Sequence, residues 1–505
     1  MALGPGFDNE KYLAEQTASI TDRAASIGGK LYLEFGGKLV YDYHASRILP
    51  GFDPNVKMRL LQRLKDSIDI VLCIYSGDIE RKKIRADFGI TYDVDVLRLI
   101  DDLRAWGLEV SAVVITRFQG GAAVKQFMNR LERSGISVYT HGPTEGYPAD
   151  VDLIVSEKGY GANPPIKTRK PIVVVTAPGP GSGKMATCLS QLYHDHKNGI
   201  EAGYAKFETF PIWNVPLKHP VNMAYEAATA DLGDFNEIDP FHLEAYGREA
   251  VNYNRDIEVF PVLRRILERV SGSATAYRSP TDMGVNRAGF AIVDDEAVRY
   301  AATQEIIRRY FRYNCEYVMG ATEHGPVEKV RRLMQELEVG EEDRPVVAPA
   351  RAAAESARTK NKGNAGAYCG AALQLPGGRT VSGENSELLH ATAALILNTV
   401  KALAGIPETI DLLAPTVIES VGRMKKDVLN SRQVSLNVEE TLIALSISAA
   451  SNPTAEAAME KLGSLKGCEV HLTHMPTPGD EAGLRRLGVN LTSDPTFSSK
   501  NLFVT

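Results

Sequence analysis

No apolar run in this chain approaches the roughly 20 residues that a membrane helix needs. The opening residues Met1-Ala2-Leu3-Gly4-Pro5-Gly6 lack a basic region followed by an apolar core. The expectation is a cytoplasmic protein with no membrane partner. A basic excess is missing too. The formal net charge is −6, whereas a nucleic-acid scaffold needs a dense basic face, so no nucleic acid is expected as a partner. Cysteine is sparse: Cys73, Cys188, Cys315, Cys369 and Cys468 are odd in number and far apart, with neither C-x-x-C pairing nor His–Cys clustering at zinc spacing. Free thiols in a reducing compartment follow as the expectation. What is present is ordinary for a globular protein, 44% hydrophobic and 24% charged. A length of 505 residues implies two or three domains.

The most informative stretch is Pro171-Ile172-Val173-Val174-Val175-Thr176-Ala177-Pro178-Gly179-Pro180-Gly181-Ser182-Gly183-Lys184-Met185-Ala186-Thr187. Its β-branched run lacks alternation, as a parallel strand buried on both faces should. An amphipathic helix follows through Cys188, Leu189, Leu192 and Tyr193. Gly179, Gly181 and Gly183 remove the Cβ atoms that would hold a ligand off the backbone, so several N–H groups can face one concavity at a helix start. Lys184 adds a cation. The phosphate-binding residues expected are therefore Gly179, Gly181, Ser182, Gly183, Lys184 and Thr187. Against the pattern G-x-x-x-x-G-K-[ST], Pro178 stands where the first glycine belongs and Met185 where a Mg²⁺-binding hydroxyl belongs. A Gly-rich turn that binds nothing is the alternative.

Residues 1–57 read as a helix and a hairpin, with strands Lys30-Leu31-Tyr32-Leu33-Glu34-Phe35 and Lys38-Leu39-Val40-Tyr41-Asp42-Tyr43. Residues 58–239 alternate helix and strand, including Val151-Asp152-Leu153-Ile154-Val155 as a strand. The fold class expected is α/β, a mostly parallel sheet with its ligand outside the carboxyl ends of the strands. Residues 240–325 are rich in helix formers and read as a helical insertion or cap. The last α/β domain, 326–505, includes a linker over residues 340–364, after which comes a hairpin turning at Pro376-Gly377-Gly378.

Polar groups cluster in several loops. Arg117, at a strand's carboxyl end before Gly120 and Gly121, either closes a second anion site or belongs to an ordinary βα turn. The loop holding Trp213, Asn214, Lys218 and His219 carries too many functional groups for a spacer. Arg278 and Arg287, with Ser279, Thr281 and Asn286 between them, either clamp an anionic substrate or decorate an interhelical turn. His471 and His474 follow a strand, and either line a cleft or sit at a solvated strand end.

Three resemblances follow from these residues. The order of Gly-rich loop, helix, Lys206-x-Glu208, a Pro/Asn/His loop and Asp231-Leu232-Gly233 resembles the synthetase domain of CTP synthase and its dethiobiotin-synthetase-like relatives over residues 170–240. That likeness implies that Glu208 and Asp231 hold the Mg²⁺ of ATP while a carboxylate or carbonyl is phosphorylated. The hairpin at 370–385 running into His390-Ala391-Thr392 resembles the opening of the cytidine-deaminase fold. There Thr392 replaces the required glutamate and no P-C-x-x-C follows, so no zinc is expected and His390 becomes a packing or substrate residue. Over nearly its whole length, the chain resembles uncharacterised bacterial protein family 0371, which brings no activity with it.

The function expected is an ATP-like nucleotide bound at residues 179–187 and used to phosphorylate or ligate a small anionic metabolite. Lys184, Lys218 and His219 are the catalytic candidates, Arg117, Asn214, Arg278 and Arg287 the substrate-binding ones. The alternatives are a nucleotide or metabolite sensor without turnover, and a transferase using a phosphate-containing substrate. Helical stripes in the cap and the apolar C-terminal helices lead to the expectation of a homo-oligomer.

Overall fold

A computed structural model describes residues 4–85 and 89–498. The chain divides into two compact units, Gly4–Ala302 and the chain from Thr303 onward. Among the described residues, no helix is long and apolar enough to cross a membrane.

The first unit begins with α1 (Asn9–Ile27), which Asp8 caps by accepting hydrogen bonds from the N–H groups of Glu10 and Lys11. Its parallel sheet contains β1 (Lys30–Phe35), β2 (Ile68–Tyr75), β3 (Val110–Thr116), β4 (Val138–Thr140), β5 (Ile172–Thr176) and β6 (Ala202–Phe207). Their spatial order is β4-β3-β2-β5-β1-β6. Both faces of the sheet are covered, which is why β5 reads as an unbroken apolar run. On one face Val71, Cys73, Val114, Val173 and Val175 meet Cys188, Leu189 and Leu192 of α3 (Lys184–Lys197), and Phe260, Leu263 and Ile266 of α5 (Asn254–Ser271). The alternate residues Leu72, Ile74, Val113, Ile115 and Val174 are buried toward the other side. There α2 (Tyr92–Ala105) packs on β2 and β3 with Val96, Leu99, Ile100 and Leu103.

Strand order locates the switch point of the sheet. From β2 the chain steps outward to β3 and β4, then returns to lay β5 between β2 and β1 before moving on to β6. Connections leaving β2 and β5 thus run in opposite directions, and α2 and α3 lie on opposite faces. The carboxyl ends of β2 and β5 flank a topological switch point, where open parallel sheets bind ligands.

Three readings of the sequence are corrected. Residues 38–43 form no second hairpin strand; β1 is an interior strand flanked in parallel by β5 and β6. Asp42 instead caps the helix Tyr43–Ile48 and pairs with buried Lys57 at 2.8 Å, which pulls the segment inward. The run at 151–155 is the short helix Val151–Ile154, started by Asp150, whose side chain accepts from the N–H of Leu153. The supposed linker contains the helix Val347–Thr359, whose stripe Val347, Ala350, Ala353 and Ala357 is buried against the following strand.

In the second unit a four-stranded sheet is built from β7 (Gly370–Gln374), β8 (Thr380–Glu384), β9 (Glu469–Leu472) and β10 (Asn490–Ser493), ordered β8-β7-β9-β10. The hairpin β7/β8 forms with the expected turn, and β10 is parallel to β9. Helix α6 (Ala391–Ala404) lies directly on the hairpin. A Cβ at Gly383 would stand 2.3 Å from the Leu395 nitrogen and 2.5 Å from the Ala391 oxygen, so no larger residue fits there. Helices α7 (Val438–Ala449) and α8 (Pro478–Leu487) complete the core with Val438, Leu445 and Leu484.

Candidate functional site

The β5–α3 loop lies at the switch point. Gly183 is the N-cap of α3 at φ 84°, a left-handed conformation that favours glycine, and with no side chain it leaves the helix start uncapped by its own residue. The first-turn N–H groups and the positive end of a 14-residue helix therefore open beside the loop. Thr116, the last residue of β3, braces the loop by donating its hydroxyl to the Ser182 carbonyl at 2.7 Å. The Ser182 hydroxyl itself is buried without a partner. Arg117 follows in a left-handed conformation at φ 48°, strain of the kind functional sites retain. Its guanidinium lies 3.5 Å from the ring centroid of Tyr75, at the end of β2, and donates to the Gly181 carbonyl. The fold thus brings Gly181, Ser182, Gly183, Lys184 and Arg117 to one place. Gly179 lies against the Tyr92 ring, where a Cβ would stand 2.4 Å from a ring carbon.

Two side chains of the first turn of α3 point elsewhere. The Lys184 ammonium is 3.9 Å from the Glu34 carboxylate of β1, so it rests toward an internal acid. Glu34 in turn accepts a hydrogen bond from the Tyr204 hydroxyl at 2.7 Å. Thr187 is buried, and its hydroxyl accepts from the Cys73 thiol at 3.4 Å. Burial pushes that thiol up to about 12, so it remains a donor. The Thr187 hydroxyl serves helix–sheet contact rather than the loop.

Charges alternate along the carboxyl edge from β5 to β6. Glu34 is the cross-strand partner of Lys206. The Lys206 ammonium meets Asp256 at 2.5 Å and Glu208 at 3.3 Å, and donates to the Tyr253 hydroxyl, which donates to Glu208. Burial opposes the Lys206 charge, but Asp256, Glu208 and Glu34 outweigh it and hold the pKa well above the ordinary value. Burial also raises the Glu208 carboxyl to about 7, with Asp256 and Glu34 adding to it and Lys206 opposing. A carboxyl poised near neutrality beside a fixed cation can take up or release a proton.

The remaining candidates are dispersed. Asp231 is exposed in the turn Ala230–Leu232, and among the described residues no cluster of three His, Cys, Asp or Glu suits a metal. Lys218 is exposed. His219 caps the helix Pro220–Ala228: its Nδ1 accepts from the Val221 N–H and its Nε2 donates to Asp295 at 2.9 Å. Both ring nitrogens are thus engaged, one with the helix N-terminus and one with Asp295. The Asn214 side-chain oxygen packs on the Gly289 backbone. Arg278 and Arg287 lie over separate rings, Tyr246 at 5.0 Å and Phe290 at 5.1 Å. Sequence reasoning missed Glu34, Tyr75, Tyr253 and Asp256. Glu34 carried a signal, a lone acid within an apolar strand; the others had none.

A parallel sheet with a switch point and a second α/β unit define a two-unit α/β protein. Residues 5–338 match the N-terminal domain of unknown function DUF1846, and residues 342–503 match the corresponding C-terminal domain. The chain is 56% identical over 499 residues to a UPF0371 protein of Clostridium tetani, covering 99% of each chain. It is 57% identical over 499 residues to a UPF0371 protein of Clostridium botulinum, again covering 99% of each. The chain belongs to this DUF1846 (UPF0371) family.

Proposed function

We propose that the first unit binds a phosphate-bearing ligand, an ATP-like nucleotide foremost, at the β5–α3 loop and uses it on a small anionic metabolite by phosphorylation or ligation. One observation carries the reading: a helix without a side-chain cap opens at the switch point, with Lys184 and Arg117 beside it. Phosphate oxygens are the natural partners of such amides. The likeness of the loop to a phosphate loop, and of residues 170–240 to CTP-synthase-like synthetase domains, supports the same reading. In the resting state Glu34 occupies Lys184, and an arriving phosphate competes for the ammonium. Mg²⁺ is proposed to enter with the nucleotide. Glu208, already engaged with Lys206 and Tyr253, then serves better as proton acceptor than as metal ligand.

A second reading is a nucleotide sensor without turnover. It is favoured by Met185 at the hydroxyl position and by the Thr187 hydroxyl facing Cys73. Mixing the protein with Mg²⁺-ATP and following both binding and γ-phosphate release separates the two. Binding with release on addition of a small carboxylate metabolite supports the enzyme, and binding without release under any condition supports the sensor. Absence of binding contradicts both.

A further inference from the structure

The second unit contains a cavity of its own, about 80 Å³, that the nucleotide reading does not use. Its walls come from the segment around Cys369, the start of α6, and the turn that begins α8. Two helix N-caps line it, His390 of α6 and Thr477 of α8. Beneath them lies Asp480, only 3% exposed.

Asp480 is saturated with donors. It accepts from His390 Nδ1 at 2.7 Å, the Thr392 hydroxyl at 2.6 Å, the Thr477 hydroxyl at 2.7 Å and the Val438 N–H at 3.0 Å. Burial alone would favour its neutral form, but these partners, His390 first among them, hold the pKa below the ordinary value. The carboxylate is therefore an acceptor only, and Nδ1 of His390 must carry the proton. Nε2 is left as the basic nitrogen. His390 occupies an N-cap position yet makes no capping bond, so its side chain is not spent on the helix and leaves the first-turn amides of the 14-residue α6 uncapped by it. Among the described residues lining the cavity Asp480 is the one carboxylate, and its charge is already met by four donors. Cys369 lines the same space, but burial raises its thiol to about 11, which leaves it protonated at neutral pH.

We propose that this cavity is a second ligand site, in which His390 is a proton-transfer residue positioned by Asp480, and that it takes a small metabolite bearing a carboxylate or phosphate group. The ligand's anionic oxygens meet the amides at the start of α6, and an exchangeable proton of the ligand meets Nε2. In the transfer the ligand's X–H bond breaks, its electron pair stays on X, and the proton forms the N–H bond of an imidazolium that Asp480 neutralises. The reverse transfer returns the proton to the product. Asp480 acts only through the ring, which it holds in one tautomer, as carboxylates paired with catalytic imidazoles do.

The test uses the full-length chain labelled with ¹⁵N-histidine, in a Lys184→Ala background so that anions at the first unit's loop do not contribute. His390 resonances are assigned by comparison with His390→Gln. The expected result is a single neutral tautomer protonated on Nδ1, with resonances that shift saturably with millimolar inorganic phosphate or acetate. Phosphate shifts that exceed those of acetate identify phosphate as the recognised group, and the converse identifies carboxylate. Asp480→Asn is expected to mix the two tautomers, because the acceptor that holds the proton on Nδ1 is lost, while saturable anion binding at the α6 amides persists. Should Asp480→Asn fail to fold, Thr392→Val replaces it, with a smaller shift in the same direction. A proton on Nε2, resonances indifferent to both anions, or variants that leave the tautomer unchanged would each overturn the proposal.

Discussion

Glu34 is the acid in the apolar run Leu31-Tyr32-Leu33-Glu34-Phe35, and it decides where Lys184 rests. At 3.9 Å and largely shielded from solvent, the pair restrains the ammonium without a hydrogen bond. Replacing Glu34 with Gln removes the competitor while keeping an acceptor for Tyr204. Phosphate affinity at the loop should then rise, by about 1 kcal/mol or some fivefold, as expected for a partly exposed pair. Titration calorimetry with inorganic phosphate checks this, and a weaker affinity in Glu34→Gln would contradict it. Glu208 gives a pH signature. Its folded pKa of about 7 lies above the ordinary 4.5, so the folded state favours the protonated form. The stability it contributes is full below pH 4.5 and is lost as pH rises through about 7. Lys206 is raised above its ordinary 10.5 and so contributes nothing to the slope in that window. Urea unfolding between pH 4.5 and 7 should show wild type losing stability relative to Glu208→Gln. Parallel curves would refute the assignment.

Elements were legible where local chemistry and burial agreed. The β7/β8 hairpin was readable because Pro376-Gly377-Gly378 fixes its turn, and β5 with α3 because a β-branched run meets glycines and an amphipathic helix. Residues 38–43 misled because their alternation mimics a strand while Asp42 is claimed by Lys57 and a helix cap. The helix Val347–Thr359 was hidden by its composition: alanines and arginines read as a linker, yet alanine is the strongest helix former and four small residues make the buried stripe. The site was legible in its loop, not in its surroundings. Tyr75, Tyr253 and Asp256 reach it only through long-range packing. Gly383 offers a test at this scale. A methyl group there meets the backbone of α6 at three atoms. Gly383→Ala should therefore cost about 3 kcal/mol or more in denaturant unfolding, in the range of severe overpacking. A loss below about 1 kcal/mol would show that α6 shifts freely.

For the molecule as a whole, the sequence reading separated an α/β first half from an α/β last half. The boundaries moved because helix α5, read as part of a cap, belongs to the first unit's core against the sheet. Contacts change hands between Ala302 and Thr303, within one long helix, Asp295–Val318, where no composition shift marks a border. Self-association is our proposal at this scale. Ile443 and Ile447, one turn apart on α7, are 62% and 55% exposed. Light scattering at micromolar concentration should give at least twice the mass of one chain, and Ile443→Lys with Ile447→Lys should reduce it to one. A wild-type monomer would contradict the proposal.

Nucleotide binding by wild type and Lys184→Ala bears most directly on the account. Calorimetric titration with Mg²⁺-ATP should give saturable heat for wild type and an affinity at least roughly tenfold weaker for Lys184→Ala, the loss expected for one charge-assisted contact to phosphate. Equal affinities for the two proteins, or no heat from either, would contradict it.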